Sequence, residues 1–268
     1  MVASSTALAG KVLVVIGGTT GLGLSAARAF LAAGARGVVV TGRNPASATS
    51  ALDSLGDSAR AMNGDACSPA HSPEAIQLAV QEFGGFDGLY HVAGGSGRKL
   101  GDGPLHEITD AGWRATLDLN LTSLFNSNRA AVRVLLERKS AGSILNMGSV
   151  LGWSPSPHFF TTHAYAAAKS AVVGFTQSCA AYYAAHNIRF NVLAPALVET
   201  PMAQRAAEDE TILSFIRTKQ PLEGGRIGQA SDLDGAAVYF LGDGSRFTTG
   251  QVLAVDGGWM VSEGQFPH

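Results

Sequence analysis

Lys11-Val-Leu-Val-Val-Ile16 runs directly into Gly17-Gly-Thr-Thr-Gly-Leu-Gly23 and then into an alanine-rich segment that ends at Gly34. The apolar run predicts a strand buried on both faces, and the alanine-rich segment predicts a helix. A strand, a glycine-rich turn and a helix start in this order form a cradle for a pyrophosphate, which the helix N–H groups bind. The alternative is a glycine-rich turn needed only for packing.

The next apolar run, residues 37–41, predicts a second buried strand that ends at Gly42-Arg43. In a dinucleotide-binding fold an acidic residue at this strand end binds the 2′-hydroxyl of the adenosine ribose, whereas an arginine accepts a 2′-phosphate. Gly42 leaves the acidic position empty and Arg43 follows it. The sequence therefore favours NADP(H), with NAD(H) as the alternative cofactor and a solvated loop charge as the alternative role of Arg43.

Two further strands end near the same place. Residues 59–63 precede Asp65-Ala66, and residues 86–92 precede Ala93-Gly94. Asp65 either accepts from an adenine amino group or caps the helix predicted to begin near Ser72. Because the carboxyl ends of parallel strands share one edge of a sheet, these residues should meet in a ligand-binding crevice.

The second half of the chain supplies candidate catalytic side chains. Residues 113–138 predict one long helix with Asn120 inside it, which either faces solvent or marks a local opening that frees a carbonyl. Residues 142–148 predict a fifth strand that delivers Ser149 at its end. Tyr165 and Lys169 stand four residues apart, so a helix places them on one face. A cation beside a phenol lowers the pKa of the phenol, which suits a general acid/base.

Composition limits the remaining possibilities. The chain has 268 residues, 46% of them hydrophobic, and 33 glycines, which predicts one domain over residues 1–268. A net charge of −2 gives no electrostatic case for nucleic acid or a membrane surface. Cys67 and Cys179 have no metal-ligand spacing and are expected to be reduced thiols, and no metal site is predicted. With no secretion signal or apolar run long enough for a membrane span, a cytoplasmic location is expected.

The combined pattern resembles the classical short-chain dehydrogenase/reductase (SDR) family over most of the chain. The family's Thr-Gly-x-x-x-Gly-Ile-Gly is similar to residues 16–23, although Ile16 replaces the threonine, and its Asn-Asn-Ala-Gly is similar to residues 91–94, which keep only Ala93-Gly94. The segment 188–200 is similar to the family's sixth strand and following loop, with Ala196 in place of glycine, and 249–258 to its last strand. The loss of both asparagines implies that side chains bracing the central strand are missing.

The resemblance also implies roles. Tyr165 would be the acid/base, Lys169 would lower its pKa and bind the nicotinamide ribose, Ser149 would hold the substrate oxygen, and Asn120 would position a water that relays protons. Thr200 and the backbone of Val198 would bind the carboxamide. The residues assigned to the dinucleotide are Gly17, Thr19, Thr20, Gly21, Leu22, Gly23, Arg43, Asp65, Ala66, Ala93, Gly94, Tyr165, Lys169, Val198 and Thr200.

Two segments bear on the substrate. The interval between Ser149 and Tyr165 is rich in aromatic and proline residues, which form either a wall of the substrate pocket or packing contacts. Residues of about 200–225, including Met202, correspond to the family's substrate lid. The apolar candidates around the site favour an uncharged, apolar or cyclic ketone or secondary alcohol. His158 and His163 are not favoured as a rival acid/base, because neither has an evident orienting partner.

The sequence thus predicts an α/β fold, a single doubly wound (Rossmann-type) three-layer domain of about seven parallel strands with helices on both faces. The predicted function is an oxidoreductase that transfers a hydride between NADP(H) and a ketone or alcohol. A non-redox epimerase or dehydratase and a catalytically silent dinucleotide sensor are the alternatives. Reduction of a carbon–carbon double bond is disfavoured, since enoyl reductases of the family place six residues between tyrosine and lysine. A homo-oligomer, tetramer or dimer, is implied.

Overall fold

The computed structural model describes residues 6–200, 203, 206 and 208–264. Within them, seven strands form one parallel sheet in the order β3-β2-β1-β4-β5-β6-β7. The strands are β1 Val12–Ile16, β2 Gly37–Gly42, β3 Ala59–Asn63, β4 Gly88–His91, β5 Gly142–Met147, β6 Ile188–Pro195 and β7 Val252–Val255. The predicted doubly wound fold is confirmed.

Helices cover both faces of the sheet. Their bounds are α1 Gly21–Ala32, α2 Pro45–Leu55, α3 His71–Phe83, α4 Asp110–Leu117, α5 Ser123–Glu137, α6 His163–Tyr183, α7 Glu210–Lys219 and α8 Asp234–Leu241. Local signals set several ends. Asn44 accepts a hydrogen bond from the amide of Ala46 at the start of α2, and Gly84 ends α3 in the left-handed conformation.

Alternate residues of each strand pack on opposite helical layers. Leu13 and Val15 of β1 belong to the core formed with α1 and α8, whereas Val12 and Val14 belong to the core formed with α3 and α5. All four side chains are fully buried. Burial of such a side chain contributes about 1.5–3 kcal/mol to the free energy of folding. A strand that is covered on both faces buries every side chain, so its sequence is a continuous apolar run without polar alternation.

The helix predicted for residues 113–138 is interrupted. A π-helical turn, Asp118–Thr122, separates α4 from α5, and Asn120 lies buried inside it. The Asn120 amide group donates 2.9 Å bonds to the carbonyls of Thr116 and Gly95, and its oxygen accepts from the Gly95 amide at 3.0 Å. Its bond to Thr116 competes for the carbonyl that an α-helix would pair with the backbone of Asn120. The solvent-facing interpretation was wrong, and the local opening is what the structure has.

The topology creates one crevice. β1 and β4 are neighbours, but the chain leaves β1 toward β2 on one side and β4 toward β5 on the other. The chain therefore leaves β1 and β4 in opposite directions at the carboxyl edge of the sheet, and the crevice between the two loops is where ligands bind in open α/β folds. The amides of Val92 and Ala93 both donate to the Ile16 carbonyl at 2.8 Å, which fixes these two loops against each other.

The lid predicted for about residues 200–225 contains α7 in its described part. Met202, predicted to contribute to it, lies outside the described residues. None of the described helices combines the length and apolar composition that a bilayer crossing requires.

Candidate active site

A cavity of about 550 Å³ opens at the carboxyl edge of the sheet. It runs from the turn after β1, past the ends of β2, β3 and β4, to the end of β5 and the start of α6. All the residues proposed above for catalysis and cofactor binding line it except Gly23 and Asn120. Those two support lining residues from behind, because Gly23 packs on Gly17 and Asn120 holds Gly95.

The turn after β1 has space only for glycine at two positions. Gly17 has a φ of +88°, and a Cβ atom there would lie 2.7 Å from the Ala93 amide nitrogen. A Cβ atom on Gly23 would lie 2.2 Å from the Gly17 carbonyl oxygen. Thr20 occupies the N-cap position of α1 without a side-chain capping bond, so first-turn amides remain for a ligand. This arrangement fits the pyrophosphate of a dinucleotide.

The end of β2 carries Gly42 and Arg43, the two residues predicted to distinguish NADP(H) from NAD(H). A Cβ atom on Gly42 would meet the Thr19 hydroxyl oxygen at 2.1 Å, so these two small groups are matched to each other. Arg43 is exposed and lines the cavity, and no salt bridge to it occurs within the described residues. Its guanidinium can therefore meet an anionic group of a ligand.

Asp65 lines the cavity but does not cap α3. One of its carboxylate oxygens accepts from the Cys67 amide at 3.0 Å, and the N-cap position of α3 is Ala70. The capping alternative was therefore wrong. Burial, followed by the charge of Asp65, raises the pKa of Cys67 to about 11, so this free thiol is protonated at neutral pH.

Ser149, Tyr165 and Lys169 come together at the far end of the cavity. Ser149 follows β5, and its hydroxyl lies close enough to the Tyr165 phenol to lower the pKa of that phenol. The Ser149 hydroxyl oxygen accepts from the Leu151 amide at 3.2 Å. Lys169 lies one turn after Tyr165 on α6, with its Nζ 5.5 Å from the centre of the tyrosine ring. That Nζ donates a 2.8 Å bond to the carbonyl of Met147 at the end of β5.

Burial dominates the electrostatics of this group. It lowers the pKa of Lys169 to about 8. It also raises the pKa of Tyr165, against a smaller lowering by the Ser149 hydroxyl. The sequence pattern predicted a pKa of Tyr165 below the ordinary value of a phenol, but the net shift in this structure is upward, because burial outweighs the contribution of neighbouring groups. Tyr165 is consequently a protonated phenol at neutral pH, ready to donate.

The predicted loss of bracing at the central strand is also wrong. His91, at the end of β4, is buried between two serine hydroxyls of α5, with Nδ1 2.8 Å from Ser127 and Nε2 3.3 Å from Ser123. Burial, then the charge of Lys169, lowers the pKa of His91 to about 3, so the ring is neutral. The serine pair at i, i+4 spacing was the signal in the sequence that could have indicated this contact.

One part of the cavity lining is apolar and aromatic. This part includes Leu151, Phe160, Leu197 and Trp259. The Phe160 and Trp259 rings meet edge to face with centroids 5.8 Å apart, and Phe215 of α7 meets Trp259 at 5.9 Å. In the loop after Ser149, Phe160 lines the cavity while Phe159 packs against Phe215 of α7. The role of this loop as a wall of a substrate pocket stays a prediction.

Other predicted residues fall at the margins. Thr200 and Val198 line the cavity, and the Thr200 hydroxyl donates to the Val198 carbonyl at 3.4 Å. His158 and His163 are exposed and do not line it. Sequence reasoning gave no role to Asp102, a buried carboxylate whose oxygens accept from the amides of Ala164 and Tyr165. Nothing in its sequence neighbourhood indicates a contact with a helix that begins sixty residues later.

Comparison with known proteins bears on this site. A family model described as enoyl-(acyl carrier protein) reductase matches residues 17–260. The chain is 33% identical over 253 residues to 2,5-dichloro-2,5-cyclohexadiene-1,4-diol dehydrogenase of Sphingobium indicum, covering 94% of this chain and 98% of the relative. It is 34% identical over 251 residues to 3-alpha-(or 20-beta)-hydroxysteroid dehydrogenase of Mycobacterium tuberculosis, covering 94% and 90%.

A solved structure is similar over the same extent. Gluconate 5-dehydrogenase from Burkholderia cenocepacia, in complex with NADP and tartrate, superposes with a TM-score of 0.85 at 31% identity, covering 96% of this chain and 98% of that one. The chain therefore belongs to the short-chain dehydrogenase/reductase family and is an NAD(P)-dependent oxidoreductase that acts on alcohols or ketones.

Proposed function

We propose that this protein is an NADP(H)-dependent carbonyl reductase, or secondary alcohol dehydrogenase, with Tyr165 as its acid/base. The observation that carries this proposal is the convergence of the Ser149 hydroxyl, the Tyr165 phenol and the Lys169 ammonium at the end of a cavity that begins at a glycine cradle. A hydroxyl donor beside a partly buried phenol suits a reaction in which negative charge develops on a carbonyl oxygen.

The chain's residues fit a dinucleotide. The glycine turn and the open start of α1 would hold the pyrophosphate, Asp65 and Ala66 the adenine, and Val198 and Thr200 the carboxamide. When bound, the nicotinamide supplies or accepts the hydride. Gly23 has no side chain that would displace Gly17, and hydrogen bonds between the loops after β1 and β4 fix the shape of the cradle.

Each catalytic side chain has a separate task in ketone reduction. Ser149 donates a hydrogen bond to the substrate oxygen and holds it beside the Tyr165 phenol. Tyr165 is protonated at neutral pH, because the pKa of a phenol is near 10 and burial raises it further, and it gives its proton to that oxygen. Lys169 places a positive or easily protonated group beside the phenolate that remains on Tyr165 after the transfer. Asn120 supports a water-mediated route by which a proton returns to that phenolate.

NADP(H) is the proposed cofactor, with NAD(H) as the alternative. Arg43 lies at the cavity where a 2′-phosphate would be recognised, and Gly42 carries no acid that would bind a 2′-hydroxyl. The complex of the related gluconate 5-dehydrogenase with NADP supports the same choice. Arginine binds phosphate through paired, charge-assisted hydrogen bonds, which explains why one exposed residue can determine the preference.

The proposed substrate is an uncharged, apolar ketone or secondary alcohol, preferably cyclic. The walls formed by Leu151, Phe160, Leu197 and Trp259 favour apolar surface over charge. Relatives named for a hydroxysteroid and for a cyclohexadiene diol support a ring-shaped substrate. Enoyl reduction, which the name of the family model suggests, is disfavoured because only three residues separate Tyr165 from Lys169.

A homo-oligomer in the cytoplasm completes the proposal. The exposed large apolar side chains of the described residues include Trp113 and Phe125 on α4 and α5, and Tyr239, Phe247 and Leu253 near the edge strand β7. Burying such patches against a second copy is the usual way to remove them from water. The unpaired thiols of Cys67 and Cys179 suit a reducing compartment.

A substrate screen tests this function. Cyclic and acyclic ketones, with an anionic sugar-acid ketone as the opposing class, are assayed with NADPH and with NADH. We expect turnover of apolar ketones with NADPH, and its loss in Tyr165→Phe. Tyr182→Phe is the matched control, because this phenol lies on the same helix but is 73% exposed. No turnover of any ketone or alcohol, or an active Tyr165→Phe, would contradict the proposal.

A further inference from the structure

The helix that carries the acid/base begins without a cap of its own. Tyr165 is the third residue of α6, in the first turn, where amides have no carbonyl partner within the helix. Thr162 occupies the N-cap position but makes no side-chain capping bond. Unless another group accepts from these amides, the turn that holds Tyr165 is the part of the helix most prone to fray.

Asp102 supplies the missing cap from a distant part of the chain. One carboxylate oxygen accepts from the Ala164 amide at 3.0 Å and the other from the Tyr165 amide at 2.8 Å. The side chain is buried, and it belongs to the loop between β4 and α4. A carboxylate at a helix N-terminus also interacts favourably with the helix dipole. The main-chain amide of the proposed acid/base is therefore held by a residue sixty-three positions earlier.

The loop that delivers Asp102 is built for this contact. Gly97 has a φ of +74°, and a Cβ atom there would lie 2.4 Å from the Thr116 hydroxyl oxygen and 2.9 Å from the Cβ of Asp102. The Asp102 amide donates to the Gly97 carbonyl at 3.1 Å, which closes the turn. The same loop starts at Gly94 and Gly95, which line the cavity, and Asn120 holds Gly95 through hydrogen bonds.

We propose that Asp102 is a positioning residue that fixes the Tyr165 phenol within reach of Ser149 and the substrate oxygen. This inference rests on the proposed function, since it assigns Tyr165 the acid/base role. It links the loop after β4, on the proposed nicotinamide side, to the start of the catalytic helix. Because a displacement of about 1 Å at a reacting group can lower a rate about 100-fold, loss of this cap should reduce kcat.

Two substitutions at Asp102 are compared with a matched cap removal elsewhere. Asp102→Ala removes both bonds, and Asp102→Asn keeps one acceptor oxygen. Thr109→Ala is the control, because the Thr109 hydroxyl accepts from the Gly112 amide at 3.0 Å and caps α4 away from the cavity. For each variant, kcat, KM for ketone, the Kd for NADPH, the melting temperature and amide hydrogen exchange over residues 162–166 are measured.

We expect kcat to fall about 100-fold in Asp102→Ala and about 10-fold in Asp102→Asn, with the Kd for NADPH changed by less than about threefold. Exchange at residues 162–166 should accelerate in both. Thr109→Ala should lower the melting temperature by a few degrees, as any lost cap does, without these effects. If Asp102→Ala does not fold, Asp102→Asn decides.

The assignment is overturned if both Asp102 variants keep kcat within about twofold of the wild type, or if kcat falls only in parallel with NADPH binding and melting temperature. Unchanged exchange at residues 162–166 overturns it as well. That measurement needs no substrate, so an inactive wild-type protein would refute the proposed function while the exchange result still decides the role of Asp102.

Discussion

Replacing Lys169 with methionine measures what the buried ammonium costs the fold. Lys169 is 3% exposed, and burial lowers its pKa from the ordinary 10.5 to about 8. At pH 7 the folded protein holds this charge away from water, whereas the unfolded chain keeps it hydrated. The pKa difference corresponds to about 3 kcal/mol of lost stability. Methionine fills a similar volume without the charge, so the variant avoids this cost.

The sign of the pH dependence follows from the same pKa. Because the folded-state pKa is the lower one, the unfolded chain binds more protons between about pH 8 and 10.5. The wild type therefore loses the penalty as the pH rises through this window. Relative to the wild type, Lys169→Met should be most favoured at pH 7, and its advantage should shrink by about 2 kcal/mol by about pH 9.5. Loss of the bond from Lys169 to the Met147 carbonyl destabilises the variant at both pH values, and the difference in strength between the ammonium and the amine bond is already contained in the pKa of Lys169.

Urea unfolding of the nucleotide-free proteins at these two pH values gives the free energies directly. Lys99→Met, at an exposed lysine, is the control and should show no such change with pH. Lys169→Met should also lack turnover, which would show that the buried lysine lowers stability but is needed for catalysis. A stability difference between Lys169→Met and the wild type that stays constant, or grows toward higher pH, refutes the electrostatic reasoning.

Three further substitutions test other parts of the site. Arg43→Ala should raise KM for NADPH about 10–100-fold and leave KM for NADH nearly unchanged, since charge-assisted bonds to a phosphate are lost; an unaltered NADPH/NADH preference in steady-state assays would contradict the cofactor assignment. Gly23→Ala puts a methyl group 2.2 Å from the Gly17 carbonyl oxygen, so NADPH binding followed by fluorescence should weaken at least about tenfold; wild-type affinity would show that the turn is not the cradle. Asn120→Ala removes three bonds to Gly95 and Thr116 and should lower the free energy of unfolding by about 2–4 kcal/mol; unchanged stability in urea would mean that these bonds hold nothing in place.

The sheet and the location of the site could be predicted because their signals are local. The unbroken apolar run of β1 reports a strand covered on both faces, and Gly17 and Gly23 report a turn where backbone must approach backbone. Parallel strands then bring their carboxyl ends to one edge, so residues at successive strand ends converge without any knowledge of contacts.

What could not be predicted depends on contacts between distant segments. The π-helical turn at Asn120 exists because its amide bonds to Gly95, twenty-five residues earlier, and to the Thr116 carbonyl. His91 replaces an expected asparagine. The spacing of Ser123 and Ser127 indicates that they share one face of a helix, but the fold decides that this face meets His91. The predicted shift in the pKa of Tyr165 had the wrong direction, because the spacing of a phenol and an amine in the sequence does not reveal how deeply both are buried.

Asp102 illustrates the same limit. A lone aspartate between Gly101 and Gly103 reads as an ordinary turn residue. Its contact with Ala164 and Tyr165 depends on the whole path of the chain from β4 to α6.

A single-turnover experiment decides whether the convergence of Ser149, Tyr165 and Lys169 is an active site. It measures the transfer of deuterium from C4-deuterated NADPH to a cyclic ketone in the wild type and in Tyr165→Phe. The wild type should place the deuterium on the carbinol carbon, and Tyr165→Phe should do so about 100- to 10,000-fold more slowly while still binding NADPH. A wild type that transfers no deuterium to any ketone, or a Tyr165→Phe variant that transfers it at the wild-type rate, would contradict this.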